Sequence, residues 1–221
     1  MALSKQQQEL RHSGALAHLV QEQSRKLCLS LVFREQSPIR SLGFTSATEG
    51  EGKSFMAQLT AAVLAHDSGE PVLLVEANWD HPTQHEHFGV PATPGLAEWL
   101  RQECDESDVR HQVAPNLSVV PAGDARGDAV KLLQLLRDKS SVNQISSSPA
   151  LLIVDLPPLV TCSYGRLAAS VVESVIIVVR AGVTPEGMVA DACSQLKELP
   201  VEGVLLNQVS SRIPRWIQRI L

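Results

Sequence analysis

Thr45-Ser46-Ala47-Thr48-Glu49-Gly50-Glu51-Gly52-Lys53-Ser54 lies between an apolar segment ending at Phe44 and a helix-like run beginning near Phe55. The stretch reads as a phosphate-binding loop. Successive backbone N–H groups of a glycine-containing turn point inward, and the helix that follows adds its positive N-terminal end. Lys53 can reach terminal phosphates and the Ser54 hydroxyl can hold a magnesium ion. The expected nucleotide-binding residues are therefore Thr48, Glu49, Gly50, Glu51, Gly52, Lys53, Ser54 and Phe55. Ala47 stands where the usual pattern has its first glycine, and alanine fits wherever the backbone does not need a positive φ. The alternative is a surface turn that happens to contain Gly-x-Gly-Lys-Ser. A strand before it and a helix after it weigh against that alternative.

Four apolar runs lie beyond the loop: Val72 to Val75, Leu151 to Val154, Val175 to Val179 and Val204 to Leu206. Such runs are the signature of strands buried on both faces, as in parallel sheets. Ile39, Leu42 and Phe44 start the strand that feeds the loop. Phe55, Leu59, Ala62, Val63 and His66 keep one face over three turns, closed by Asp67-Ser68-Gly69, which suits a helix packed on a sheet. Further helical stretches are expected from about Ala129 to Asp138, Ser163 to Val172 and Pro185 to Leu199. Thr184-Pro185 supplies a hydroxyl cap and a first-turn proline. The alternation of strand and helix predicts an α/β fold with a mostly parallel central sheet flanked by helices.

Ligands of such sheets sit at the carboxyl ends of the strands. There the sequence places Glu76-Ala77-Asn78-Trp79-Asp80 after one run and Asp155-Leu156-Pro157-Pro158 after another. Magnesium takes oxygen ligands, usually one or two carboxylates with phosphate and water. Asp155 is the expected ligand together with Ser54, directly or through a water; a turn or capping aspartate is the plainer reading. Glu76 is the candidate to orient or deprotonate an attacking hydroxyl or water, beside Lys53 and Asp155 as catalytic residues.

At 221 residues and 44% hydrophobic, the chain can bury one substantial core. Its net charge of −5 and pI near 5.8 offer no global basic field, so nucleic acid is not an expected partner. Cys28, Cys104, Cys162 and Cys193 are scattered with no C-x-x-C pair, which points to a reducing cytoplasm rather than disulfides or structural zinc. The longest of these runs is far too short to span a bilayer. Residues 1 to 37 read as a polar, then helical arm, 38 to 211 as the nucleotide-binding domain, and 212 to 221 as a short basic amphipathic helix.

Six pieces in register carry a family resemblance: Thr45 to Ser54, Val72 to Pro82, Phe88 to Pro91 with Pro94 to Leu96, Leu117 to Gly123, Ile153 to Pro158, and Gly203 to Asn207. Together they resemble the cytoplasmic domain of bacterial tyrosine kinases (BY-kinases) of the capsular and exopolysaccharide CpsD/CapB type, related to the ParA/MinD group of P-loop ATPases. The resemblance implies a three-layer P-loop NTPase fold, ATP and Mg2+ as cofactors, and Asn207 facing adenine. It also implies a cytoplasmic protein at the inner face of the plasma membrane. The implied partner is a membrane-embedded polysaccharide chain-length regulator or export protein, with a homo-oligomer as a further implication. Thr48 occupies the place of the second lysine of the ParA/MinD group, which favours the kinase side.

The chain also departs from the family. Glu76, Asn78 and Asp80 stand where Asp-x-Asp-x-Arg is usual, and the early-helix motif Glu-x-x-Arg-x-x-Arg appears as Glu22, Arg25 and Cys28. Tyr164 is the one tyrosine, so phosphorylation of a C-terminal tyrosine cluster is not expected. In the place of that cluster, Ile213, Trp216, Ile217, Ile220 and Leu221 fall at helical spacing, with Arg212, Arg215 and Arg219 opposite. Such a helix suits an anionic membrane, the protein's own core or a partner. His81, His85 and His87 form an H-x-x-x-H-x-H cluster, expected at the surface or near the nucleotide rather than around a transition metal.

Overall fold

Each apolar run becomes a strand, and most are buried on both faces because helices lie above and below them. The computed structural model describes residues 39–137 and 151–209. Its seven strands are β1 (Ser41–Ser46), β2 (Val72–Glu76), β3 (His111–Ala114), β4 (Leu117–Val120), β5 (Leu151–Asp155), β6 (Ser174–Arg180) and β7 (Val201–Asn207). They form one sheet in the order β3-β4-β2-β5-β1-β6-β7, parallel except for the β3–β4 pair. Helix α1 (Lys53–Asp67) covers one face, where Met56, Ala57, Ala61 and Leu64 meet Phe44, Leu74, Ile153 and Ile176. The opposite face packs Leu73, Val75, Leu152, Val154 and Ile177 against α3 (Leu96–Leu100), α5 (Ala129–Arg137), α6 (Gly165–Ala169) and α7 (Glu186–Gln195). Neighbouring residues of β2 thus enter different cores, which is why an alternating pattern is absent from its sequence. Two short helices, α2 (Gln84–Phe88) and α4 (Glu106–Val109), complete the described elements.

Several expectations are corrected. The buried face of α1 is the Met56, Ala57, Thr60, Ala61 and Leu64 face, so of the expected stripe only Val63 is buried, and Phe55 is 52% exposed. Small alanines pack closest to a sheet, and a stripe counted on large side chains follows the wrong side. Helix α6 has five residues where ten were expected. Strand β7 is not buried on both faces: it is the sheet edge, and Val204 and Leu206 are 47% and 60% exposed. Thr184 does not cap α7, whose cap is Pro185. Strand β3 was not anticipated; it forms an antiparallel hairpin with β4 through Asn116, which adopts a positive φ. The arm 1 to 37, with Glu22, Arg25 and Cys28, and the segment 212 to 221 lie outside the described residues.

The loops that approach the site from β4 are locked together by backbone. Leu96 N and Ala97 N donate to the carbonyls of Pro121 and Ala122 at 2.8 and 3.0 Å. The buried Glu98 carboxylate accepts from Gly95 N and Asp124 N. A Cβ on Gly95 would lie 2.4 Å from Gly123 N and 2.6 Å from Pro121 O, both backbone atoms that cannot rotate away. Gly95→Ala is therefore expected to destabilise the fold by about 3 kcal/mol. Urea unfolding monitored by tryptophan fluorescence measures this, and a loss below about 1 kcal/mol would mean the two loops are free to part.

Candidate nucleotide-binding site

The candidate phosphate loop leaves the carboxyl end of β1 in the middle of the sheet and returns into α1, so the helix N-terminus lies at the end of the sheet where β1, β5 and β2 finish. Gly50 and Gly52 adopt φ of 77° and 93°, conformations that cost a side-chain-bearing residue. Gly52 has a second reason to be glycine, since a Cβ there would meet Asn207 Nδ2 at 2.2 Å. That amide donates to the Glu51 carbonyl at 2.9 Å, so Asn207 at the end of β7 props the loop from outside. The Glu51 carboxylate, 2% exposed, accepts from Thr48 N at 3.0 Å and from the Thr184 hydroxyl. Thr184 is thus part of the loop's support, a role its sequence position before a proline disguised. On the other side the segment after β5 is stitched to the loop, with Leu159 N and Val160 N donating to the Ser46 and Ala47 carbonyls.

Lys53, Ser54 and Asp155 converge here. Lys53 is 4% exposed and its Nζ donates to Glu49 Oε2 at 2.7 Å. Asp155 is fully buried, and its Oδ2 accepts from Gln84 Nε2 at 2.8 Å. Its Oδ1 has no hydrogen bond of good geometry. Burial pushes the Asp155 carboxyl above the usual carboxylate range, against the pull of the Lys53 ammonium and the Gln84 and Ser54 side chains. A buried carboxylate oxygen with no well-formed hydrogen bond, next to a serine hydroxyl and a candidate phosphate loop, is a fitting donor set for magnesium. No first-turn acid on α1 offsets the positive helix end. Phe55, at the third helical position, sits exposed at the rim.

Glu76 lies beside Asp155 in the β2–β5 register, as adjacent strands require. Its oxygens are already engaged: Oε1 accepts from Thr83 N and Gln84 N, and Oε2 from Ala122 N at 3.3 Å. Desolvation raises its pKa to about 7, with the Asp155 charge adding to the rise and the three amides opposing it. The folded chain therefore holds this proton more tightly than the unfolded chain. The stabilisation is complete below about pH 4.5 and is lost as pH rises through 7. In magnesium-free buffer, unfolding free energy is expected to fall by about 3 kcal/mol from this group between pH 4.5 and 8. Chemical denaturation across that range checks it, and Glu76→Gln should flatten the slope.

Gln84 is the residue that sequence reasoning missed. Fully buried, it donates to Asp155 and accepts from Gln58 Nε2 of α1 at 2.9 Å, tying α2 to both. Nothing in Gln84-His85-Glu86-His87 distinguishes it beforehand from its polar neighbours. Asn78 is buried with its Oδ1 unpaired, and Asp80 is exposed and accepts from the Cys162 thiol at 3.4 Å. A cavity of about 550 Å³ opens beside them, lined by Trp79, Asp80, Asp124, Arg126 and Tyr164. His81 and His87 are exposed, and the His87 ring stands edge-on to Phe88 at 4.9 Å. Among the described residues no group of three or more His, Cys, Asp or Glu side chains is placed to hold a metal ion.

No family model matches the chain. EpsB of Ralstonia nicotianae, described as a proposed tyrosine-protein kinase, is 29% identical over 88% of the chain and 26% of its own length. The tyrosine-protein kinase CpsD of Streptococcus agalactiae is 28% identical over 79% of the chain and 78% of its own length. Among solved structures, the kinase domain of the Escherichia coli tyrosine kinase ETK superposes with a TM-score of 0.72 at 26% identity, over 79% of this chain and 69% of that one. The chain resembles the bacterial tyrosine kinases. A plasmid partition protein from Borrelia burgdorferi shares the fold, with a TM-score of 0.62 at 18% identity over 83% of this chain and 80% of that one. This kinase-like chain spans about a quarter of EpsB and most of CpsD. Among its described residues no helix is long and apolar enough to cross a membrane.

Proposed function

We propose that the chain binds Mg-ATP on Thr48 to Phe55 and acts as an ATP-dependent phosphotransferase or ATPase of a capsule or exopolysaccharide synthesis and export system. The convergence of Lys53, Ser54 and the unpaired Asp155 oxygen on the N-terminus of a fifteen-residue helix carries this reading. Lys53 would bind the terminal phosphates and the loop amides would orient them. Magnesium, held by Ser54 and Asp155, would neutralise phosphate charge. Asn207, Glu51 and Thr184 hold the loop in shape, and Asn207 would also face the adenine. In this reading the protein is cytoplasmic, residues 38 to 211 are its nucleotide-binding unit, and it works at the inner face of the plasma membrane. It acts there with a membrane-embedded chain-length regulator or export protein, aided by peripheral contact through Arg212 to Leu221 and by self-association.

One observation favours a second reading. Glu76 spends both oxygens on backbone amides of the 83–84 and 122 segments, which suits a residue that positions loops more than one that takes a proton. ATP would then act as a switch that changes affinity for the membrane partner, with no phosphate transferred. Incubation of the full chain with γ-labelled ATP separates the two, by following phosphate release and protein labelling alongside equilibrium binding. Turnover supports the enzyme, and tight binding without turnover supports the switch. Absence of binding would overturn both.

A further inference from the structure

The one cation of the phosphate loop is already paired. Between Thr45 and Ser54 the chain carries Glu49, Glu51 and Lys53, two acids and one base, with Asp155 and Glu76 buried behind them. The two loop acids differ in what they can do. Glu51 is 2% exposed and held by Thr48 N and the Thr184 hydroxyl, so it stays in place. The Glu49 side chain is 36% exposed, and among the described residues its carboxylate hydrogen-bonds to Lys53 Nζ alone, at 2.7 Å. An incoming phosphate must take Lys53 from Glu49. Since Glu49 lies only four residues before the lysine, its displaced carboxylate stays near the phosphates and repels them in proportion to their charge.

We infer that Glu49 is a specificity-determining residue that makes this loop select metal-complexed nucleotide and reject free nucleotide. A metal-free triphosphate carries about twice the charge of its magnesium complex and feels the full repulsion of the displaced carboxylate. The complex carries less charge, and the Ser54 and Asp155 oxygens would hold its magnesium. Lys53 alone, without Glu49, would bind both forms through the same ammonium. The inference rests on the nucleotide-binding reading above and adds to it a role for a residue first read as a simple part of the cradle.

The test is calorimetric titration of the full-length chain with ATP, in magnesium and in EDTA, for the parent protein and for Glu49→Gln, Glu49→Ala and Glu49→Asp. Circular dichroism establishes that each variant is folded. Both neutral variants are expected to tighten binding in EDTA on the order of tenfold and in magnesium by no more than about threefold, which shrinks the magnesium preference. Glu49→Asp keeps the charge and should keep the parent's preference. An unchanged preference in both neutral variants overturns the inference while leaving nucleotide binding intact, and so does weaker binding in both, which would make Glu49 a support for Lys53. A parent protein that binds ATP in neither buffer overturns the nucleotide reading itself, and this inference with it.

Discussion

Lys53→Ala is expected to weaken Mg-ATP binding on the order of a hundredfold, the equivalent of about 3 kcal/mol for charge-assisted contacts from one ammonium to phosphate oxygens. The fold should survive the change. Lys53 pairs with Glu49, whose side chain is 36% exposed and can be hydrated once its partner is gone. Its first-turn position on α1 suits alanine, the best helix former. Titration calorimetry on the purified variant, with its melting temperature as control, measures both quantities. Retained affinity in a folded variant would take Lys53 out of the site and leave the loop a structural turn.

The second large effect is a pair of opposite changes at Asp155. With Asp155→Asn, the new amide oxygen can still accept from Gln84 Nε2 while the NH2 group takes the place of the unpaired Oδ1, so shape and the existing hydrogen bond are kept. The buried charge is removed. Because burial raises this carboxyl's pKa, its ionised form costs the folded state at neutral pH. Asp155→Asn is therefore expected to stabilise the metal-free protein by about 1–3 kcal/mol. The same substitution should abolish the gain in ATP affinity on adding magnesium, since a neutral amide is a poor ligand for a hard cation. Thermal unfolding in EDTA gives the first result and nucleotide titration with and without magnesium the second. A destabilised variant would mean that the Lys53, Ser54 and Gln84 groups fully compensate the carboxylate, and an undiminished magnesium effect would place the metal elsewhere.

Much of the fold was legible because its causes are local or periodic. The runs at Val72, Leu151 and Val175 become buried strands since a chain covered on both sides has no use for alternating polar residues. The same reasoning failed at Val204 to Leu206, where an identical-looking run lies on the sheet edge, because strand order is not written in any one strand. Helix α1 was recognised but turned the wrong way, since its sheet-facing side is built of alanines while Phe55 points outward. The hairpin partner β3, His111–Ala114, has no run of its own and is defined by its pairing with β4.

The candidate site divides along the same line. The loop and Asp155 stand out as candidates because phosphate and magnesium binding would demand particular residue types just after strands, and such demands leave a spacing in the chain. Gln84, Thr184 and the pairing of Lys53 with Glu49 left none. A buried glutamine, a threonine before a proline and a glutamate in a polar loop are ordinary residues until the strands bring 84 beside 155 and 184 beside 51. By itself, then, the sequence determined that this is an α/β chain with a mostly parallel sheet, and it marked out a candidate phosphate loop with a carboxylate beside it. The tertiary structure alone decided what those groups are already holding. Glu76 is committed to backbone amides and Lys53 is held by its own loop, because charge and N–H groups away from water must find partners across the fold, whereas one Asp155 oxygen is left without a well-formed hydrogen bond.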